Sequence, residues 1–540
     1  MNPTAPVTKK TRRIPLANIA GLLIATSLTG QILGFLRTKL VNANFPATGP
    51  HSTDAYFAAF NIPDFFFFTL AAGALGVAFM PILSDRLHKG DRRGVWEIST
   101  SLLNFLMILM AGVALVIFLF AKPLLHHIVA PTLPPQQLND AATIMRFLAL
   151  NPLLFTISGV LTSVQQTLGR FFFYAVAPLF YNGCIILAAV IFSTAPHHHG
   201  GPGHLGLVGL GVGALVGAVL QLVIVVVGTH SLNFHWRPHI GWKNKDFQQV
   251  LHNLPPRSLD QGIDQLESIV ETHFASRLAT GSITYYNNAY ILQTAPVLLI
   301  GTAISTAAFP RLNQRLSQGR PDLFRKDFLM ILRAMIWITA PVITICYFAR
   351  GYLARLIYTQ GNDQIALIFG FLTAAIFFRV VYSIMSRWFY AQKDTRTPLF
   401  VSIFTISFNI FLAYKLSRPS AYGVAGLALA QSIVSGTEVL ILGIIMLIRD
   451  RGLFNGAFWG GVLRIISVTG FSVVAGFVMI SLYPLGIRDV GLLTLGGKLV
   501  IISGIILSVH VGMSALFGLE EVRPFIYRAK RIILKPIRFD

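Results

Sequence analysis

Apolar runs of about 20 residues recur from one end of this 540-residue chain to the other, each long enough to cross a bilayer as a helix. That recurrence constrains the fold more than any motif. Inside lipid every backbone N–H and C=O must be satisfied by the protein itself, so a spanning segment is a helix or a strand of a closed barrel. The runs lack strict period-two alternation, which favours helices. Composition agrees: 54% of residues are hydrophobic and 12% charged, about half the charge fraction of a soluble domain. The expected fold class is an all-α integral membrane protein with about 14 transmembrane helices. They are placed at roughly 16–44, 53–83, 95–121, 139–168, 171–194, 204–230, 247–275, 284–309, 328–348, 361–386, 398–414, 421–447, 458–483 and 492–517.

A net charge of +22 would suggest nucleic acid in a soluble protein. Its distribution argues against that partner. With the N-terminus inside, about 28 Lys and Arg fall on the inner side of the membrane and about 7 on the outer. The asymmetry puts both termini in the cytoplasm and makes the basic residues a topology signal first, with attraction to anionic membrane lipids second. Arg12-Arg13 precede an apolar run without a short h-region and small-residue cleavage site, so the first span is read as uncleaved. Cys184 and Cys346 lie in apolar runs and set up no disulfide framework.

The chain also repeats itself. Met80-Pro81-Ile82-Leu83-Ser84-Asp85-Arg86-Leu87 ends one apolar run, and Phe309-Pro310-Arg311-Leu312-Asn313-Gln314-Arg315-Leu316 ends another 229 positions later. Repeated six-span bundles are a transporter pattern. The expected organisation is a basic cytoplasmic N-terminus (1–15), an N-lobe of six spans (16–232), a basic cytoplasmic linker (233–246) and a C-lobe of six spans (247–447). Two extra C-terminal helices (458–517) and a basic amphipathic cytoplasmic tail (518–540) follow.

No energy-transducing or catalytic motif survives inspection. Gly491 to Lys498 imitates a phosphate loop, but Leu499 stands where Ser or Thr must meet magnesium. Gly209 and Gly211 lack a preceding strand, and Gly213 and Gly217 read as small residues for close helix packing. His197-His198-His199 and His204 fall in a Gly/Pro-rich outer loop, read as solvated rather than metal-binding. The chain is therefore expected to be a transporter, not an enzyme, without cofactors. Sodium, protons or the membrane potential would drive it.

Ionisable residues within spans are costly unless paired or facing water, so they are the functional candidates. Arg37 lies in span 1, and Asp54 and Asp64 flank Ile62-Pro63 in span 2. Span 7 carries Arg257, then Asp260, Asp264, Glu267 and Glu271, whose steps of four, three and four share one helical face. Arg379 and Arg387 lie two turns apart in span 10. The acidic stripe fits a hydrated wall that binds a coupling cation, passes protons or meets a cationic substrate; it also fits structural pairing with Arg257 and Arg37. Asp54 and Asp64 fit helix caps or structural pairs as well as substrate contacts.

Several blocks together resemble a known family: Leu33-Gly34-Phe35-Leu36-Arg37, Asp54-Ala55-Tyr56-Phe57-Ala58-Ala59-Phe60-Asn61-Ile62-Pro63, Gly73 to Ser84, Pro256-Arg257, Ser386 to Pro398 and Tyr422 to Ala430. The chain is similar to the lipid II flippases MurJ (MviN) of the multidrug/oligosaccharidyl-lipid/polysaccharide exporter superfamily. The resemblance implies two lobes that move lipid-linked peptidoglycan precursor from the inner to the outer leaflet of a bacterial cytoplasmic membrane by alternating access. It implies a lipid-linked anionic headgroup as substrate and cell-wall synthesis proteins as partners. Cavity arginines serve the diphosphate, since the guanidinium fork suits phosphate; Arg37, Arg257, Arg379 and Arg387 are the candidates here, with Asp54 beside them. Glu271 stands at the family's acidic position and, with Asn409, is the candidate holder of a coupling cation.

The match is incomplete. Gln31, Phe67 and Phe68 replace family arginines, Ala72 replaces a glutamate, and Asn288-Ala289-Tyr290-Ile291-Leu292 stands where the family has Tyr-Ala-Asp-Arg-Leu. Asp260, Asp264 and Glu267 add acid that the family lacks. The alternatives are a divergent paralogue exporting another lipid-linked or cationic amphiphile, and a non-transporting cell-envelope scaffold.

Overall fold

The computed structural model describes residues 16–72, 79–194, 205–230, 232, 234, 236–358, 360–486, 489 and 491–523, with the backbone alone at 16–20, 72, 253–261 and 264. The basic N-terminus 1–15, the histidines at 197–199 and 204, and the tail beyond 523 lie outside the described residues. The described chain is helical throughout. In order come α1 (Leu16–Asn44), α2 (Asp54–Phe66), α3 (Met80–His88), α4 (Arg92–Leu124), α5 (Pro135–Leu148) and α6 (Asn151–Thr167). Next are α7 (Phe172–Ile191), α8 (Val208–His230), α9 (Lys245–Ser276), α10 (Ser282–Pro296), α11 (Ala303–Ser317) and α12 (Pro321–Phe348). The series closes with α13 (Arg350–Ile357), α14 (Asn362–Ala391), α15 (Arg396–Leu416), α16 (Val424–Arg449), α17 (Gly456–Leu482) and α18 (Leu492–Leu516).

Eleven helical stretches among the described residues are long and apolar enough to cross a membrane, and each coincides with an expected span. The other three expected spans are 1 and 2, which are described only in part, and 7, whose helix α9 carries the acidic stripe. The chain is a multi-pass membrane protein, and the count of fourteen rests on the sequence.

The repeat is written into the helix boundaries. α1 and α9 begin at Leu16 and Lys245, and α4 and α12 begin at Arg92 and Pro321. Both pairs are 229 positions apart, as in the sequence echo. After α2 and again after α10 the helix widens into a π-helical turn, at Phe67–Ala72 and Val297–Thr302. Such turns break the regular i→i−4 ladder and concentrate at functional positions. The copies differ where proline intervenes. Pro152 has no N–H to donate and disfavours helix in the residue before it, and the first copy is divided into α5 and α6 there, whereas α14 runs unbroken.

The chain forms two compact units. The first holds the described residues up to Asn44, Ile62–Ala121 and Ala142–Gly262; its core includes Leu83, Val95, Leu103 and Leu106. The second holds Phe45–Asn61, Lys122–Ala141 and the residues from Ile263 onward; its core includes Leu312, Phe324, Leu332 and Met335. Each of these four residues lies 229 positions after its counterpart in the first core, so the repeat preserves what is buried. Large apolar side chains such as Leu119 on α4 and Phe477 on α17 stay exposed, which suits acyl chains rather than water.

In the first unit α7 and α8 meet along glycines. A Cβ on Gly213 would lie 2.3 Å from the Cβ of Ala188, and one on Gly217 would lie 3.0 Å from the Tyr181 carbonyl oxygen. Gly183 faces open space. Gly213→Val is expected to destabilise the protein by about 1–3 kcal/mol through overpacking, while Gly183→Ala is expected to be near neutral. Thermal unfolding of the two purified variants checks the contrast, and equal melting temperatures would remove the packing argument.

Candidate functional site

The acidic face of α9 is engaged within the second unit. Arg379 Nη2 of α14 donates to Glu267 Oε2 at 2.8 Å, and Asn409 Nδ2 of α15 donates to Glu267 Oε1 at 3.3 Å. The family resemblance paired Asn409 with Glu271; the structure joins Asn409 to Glu267, one turn earlier. Four residues along an α-helix turn the side chain by about 40°, and that rotation takes Glu271 towards α10, where it hydrogen-bonds the Tyr286 side chain. Arg257, Asp260 and Asp264 lie on the α9 backbone, and their side chains are outside the described residues.

Beside Glu271 lie two neutral side chains that charge-based reading of the sequence did not single out, Tyr286 and Gln431. Glu271, Tyr286, Asn288, Gln293 and Gln431 are all buried. The Tyr286 hydroxyl also lies 3.4 Å from Gln431 Oε1. Among the described residues, Glu271 Oε1, Gln431 Nε2 and the amide groups of Asn288 and Gln293 have no hydrogen-bond partner. Buried polar atoms are costly when unsatisfied, so the unpartnered atoms of Glu271 and Gln431 suit water or a cation. Amides in apolar runs were the available signal. No three His, Cys, Asp or Glu side chains converge as a metal site among the described residues. Asn61 adds two further contacts to α9, 3.2 Å to Ser268 Oγ and 3.4 Å to Thr272 Oγ1. Glu438, a carboxylate in α16 that the sequence reading passed over, accepts from Ser402 Oγ at 2.8 Å.

Asp54 is fully committed. Its carboxylate accepts the N–H of Gly281 at 2.6 Å, the N–H of Thr284 at 2.8 Å and the Thr284 hydroxyl at 2.7 Å. It thereby caps α10, whose own N-cap residue Gly281 offers no side chain and sits at φ +95°. A Cβ there would meet Thr48 Cγ2 at 2.9 Å, so glycine is required and the cap is supplied by α2. The hydroxyls of Thr53 and Thr284 lie 2.9 Å apart beside it. The starts of α2 and α10, equivalent helices of the repeat, are thus latched together.

In the first unit Arg37 is half-buried on α1 and donates to Asn182 Oδ1 at 3.1 Å; Asp64 is close enough to feel its charge. Where the family has paired arginines, an aromatic run takes their place. Phe67 meets Phe68 and Phe155 edge-on at 5.2 and 5.5 Å, and Phe155 meets Tyr181.

Arg387 sits elsewhere in the second unit. It approaches Thr306 Oγ1 at 3.5 Å and lies over the rings of Phe309 and Tyr390. Just beyond it, the Asp394-Thr395-Arg396-Thr397-Pro398 block proves to be architectural. Lys393 turns the chain at φ +62°, and Asp394 accepts the N–H groups of Arg396 and Thr397 at the start of α15. It also accepts Arg449 Nη1 at 2.6 Å. Partial burial opposes its charge, but the Thr397 and Arg449 hydrogen bonds outweigh that and pull the carboxyl down to about 2.

The fold and these in-span charges define a helical membrane transporter built on an internal repeat. Solved structures share this fold. "Lipid II flippase MurJ, inward closed conformation" aligns with a TM-score of 0.75 at 19% identity, covering 93% of this chain and 100% of that one. An inward-facing MATE family transporter of the MOP superfamily aligns at 0.65 and 15% identity, covering 78% and 95%. In sequence, the "Probable lipid II flippase MurJ" of Buchnera aphidicola is 25% identical over 441 residues, which are 79% of this chain and 83% of the relative. The family model described as "Lipid II flippase MurJ" matches residues 49–487. The chain belongs to the lipid II flippase MurJ family, and hence to transporters rather than enzymes.

Two outcomes follow from these contacts. Asp54→Ala strands two buried N–H groups and is expected to cost about 1–3 kcal/mol for each unsatisfied donor; thermal unfolding measures it, and an unchanged melting temperature would rule out the cap. Asp394, with its depressed folded-state value, contributes stability above its unfolded value of about 3.9, and that contribution is lost as pH falls through about 2. Unfolding midpoints measured between about pH 5 and pH 2 are expected to fall less steeply in Asp394→Asn than in the parent protein.

Proposed function

We propose that this chain translocates lipid II from the inner to the outer leaflet of the bacterial cytoplasmic membrane by alternating access. In this reading both termini are cytoplasmic and residues 16–232 and 247–447 act as the two lobes. Family membership supplies the class. The observation that carries the cargo is the charge balance at the candidate residues. Glu267, the acid that would most directly repel a diphosphate, is compensated by Arg379 at 2.8 Å, whereas Arg37 leans on the neutral amide of Asn182. A guanidinium so held can turn to a phosphate oxygen without breaking an ion pair, with Asp64 as the one carboxylate that feels its charge. Arg37 and Arg257 are the proposed first contacts for the headgroup, with Arg379 and Arg387 as further cationic partners.

Coupling is assigned to α9 in the second unit. Glu271, with Glu267 and Asn409 near it, is proposed to take up a sodium ion or a proton, and the unpartnered Glu271 Oε1 and Gln431 Nε2 support a hydrated site there. The Asp54 and Thr53 contacts to α10 are proposed as a latch that must open during the cycle. No organic cofactor enters this scheme. Cell-wall synthesis proteins that consume lipid II are the proposed partners on the far side.

The test is complementation of a flippase-depleted cell with readout of lipid II on the outer leaflet. Arg37→Ala is expected to lower exposure at least tenfold, the loss of about one charge-assisted contact, at normal protein levels. Full flipping by Arg37→Ala would overturn the headgroup assignment. Growth rescued by a variant lacking Arg37, Arg257, Arg379 and Arg387 together would favour the scaffold alternative instead. Glu271→Gln is expected to make residual flipping insensitive to collapsing the sodium and proton gradients; a variant as gradient-sensitive as the parent would dismiss the coupling role.

A further inference from the structure

A cavity of about 620 Å³ in the first unit lies away from every residue assigned above. It opens between the start of α4 and the segment 236–241, which leads into α9. The segment is fixed in place. Asn104 Nδ2 of α4 donates to the carbonyl oxygens of Arg237 and His239 at 2.7 and 2.9 Å, and Asn104 Oδ1 accepts Trp236 Nε1 at 2.9 Å. The Gly241 N–H donates to Ser101 Oγ at 3.0 Å. One asparagine thus spends its amide on three bonds to a connecting segment, so the cavity is preformed.

Its lining is cationic and amphipathic. Arg93 and Arg237 are exposed, and neither forms an ion pair within 4 Å among the described residues; Glu97 is the one acid in the wall, and His239 adds a further donor. At the floor, Thr100 is 4% exposed and its hydroxyl has no hydrogen-bond partner among the described residues. That buried hydroxyl is the second, independent sign of a ligand: it is a donor left waiting in a basic pocket. Trp96 lines the wall, and Trp236 and Trp242 stand exposed beside it. Tryptophan and arginine together mark the headgroup level of a bilayer, and a basic pocket there attracts anionic lipid. Two guanidinium groups without an ion pair within 4 Å, above a hydroxyl, match a phosphate ester, whose oxygens accept forked N–H donors; Asp91, outside the wall, shares the charge of Arg93.

We propose that this pocket binds the phosphate of an anionic phospholipid headgroup, with Arg93 and Arg237 as the clamp and the Thr100 hydroxyl as the deep donor. The bound lipid would pin the connection between the two repeats to the membrane surface. The inference does not depend on the cargo. It borrows from the proposed topology only the choice of leaflet, and binding can be measured without flipping.

The experiment uses the full chain, purified in a neutral detergent, with binding of short-chain phosphatidylglycerol measured by titration against phosphatidylcholine and glycerol phosphate. Phosphatidylglycerol is expected to bind and phosphatidylcholine is not. R93Q/R237Q is expected to weaken binding about tenfold or more, and Thr100→Val to weaken it less. Glu97→Gln removes the lone acid and is expected to tighten binding, a gain that misfolding cannot mimic. Glycerol phosphate binding as tightly as the lipid would overturn the lipid source and leave a soluble phosphate site. Phosphatidylglycerol bound equally by the parent protein, R93Q/R237Q and Glu97→Gln would overturn the pocket altogether.

Discussion

A carboxylate inside a bilayer must find a cation, hydrogen-bond donors or water, and the architecture here follows how each one does so. Glu267 takes Arg379 and Asn409. Asp54 takes the first turn of α10. Asp327, near the start of α12, takes Arg311 and Arg315 of α11, and Glu521 takes Arg333. Each pairing joins a different set of helices, so compensation of charge and assembly of the bundle are one process. Glu271 differs in that its hydrogen-bond partner is the neutral Tyr286 rather than a cation or a helix end. It is buried, and one of its oxygens lacks a partner among the described residues. Stability alone would remove such a group, since leaving it unsatisfied is costly. In the proposed function this is the group that takes up the coupling ion.

The repeat sharpens the point, because it offers an internal comparison. Counted along the 229-residue offset, Glu267 and Glu271 of α9 occupy the positions of Thr38 and Asn42 in α1, and Asp260 that of Gln31. The two copies keep the same buried apolar set, Leu83 with Leu312 and Leu106 with Met335, yet differ where charge is placed. The first copy keeps a cation, Arg37, and an aromatic face at Phe67, Phe155 and Tyr181. The second concentrates acid and amide. The two copies thus differ in polar chemistry while keeping the same packing.

The spans were legible because burial in lipid imposes long apolar runs, and the repeat was legible because Pro81 and Pro310 punctuate equivalent helix ends. The π-helical turns were not, since nothing in Phe67–Ala72 or Val297–Thr302 distinguishes a widened turn from a regular one. Charged site residues were visible one at a time. Which of them meet was not: helical spacing places Glu267 and Glu271 on one face, but only the packing of α10 and α15 separates their partners. The buried amides of Gln293 and Gln431 carry no charge to mark them, although an amide in an apolar run is nearly as informative. The most family-specific block, at 394–398, signals membership through architecture, capping α15 and tying it to Arg449, and says nothing about cargo.

That distinction bears on the lost arginines. Replacing a cation by Phe67 removes an attraction for a diphosphate, and added acid would introduce repulsion of about 4 kcal/mol per unit charge at 4 Å with an effective dielectric of about 20. An acid already paired contributes far less, because an ion pair acts on a distant charge as a dipole. Glu267 with Arg379 is such a pair, so the stripe is less hostile to an anion than its sequence suggests. Arg37 has a neutral hydrogen-bond partner, Asn182, and shares its charge with Asp64 rather than with a paired acid. In the proposed function, the headgroup meets its cation on α1 and the coupling ion its acid on α9, so the two roles differ by position along the repeat rather than by strength of charge.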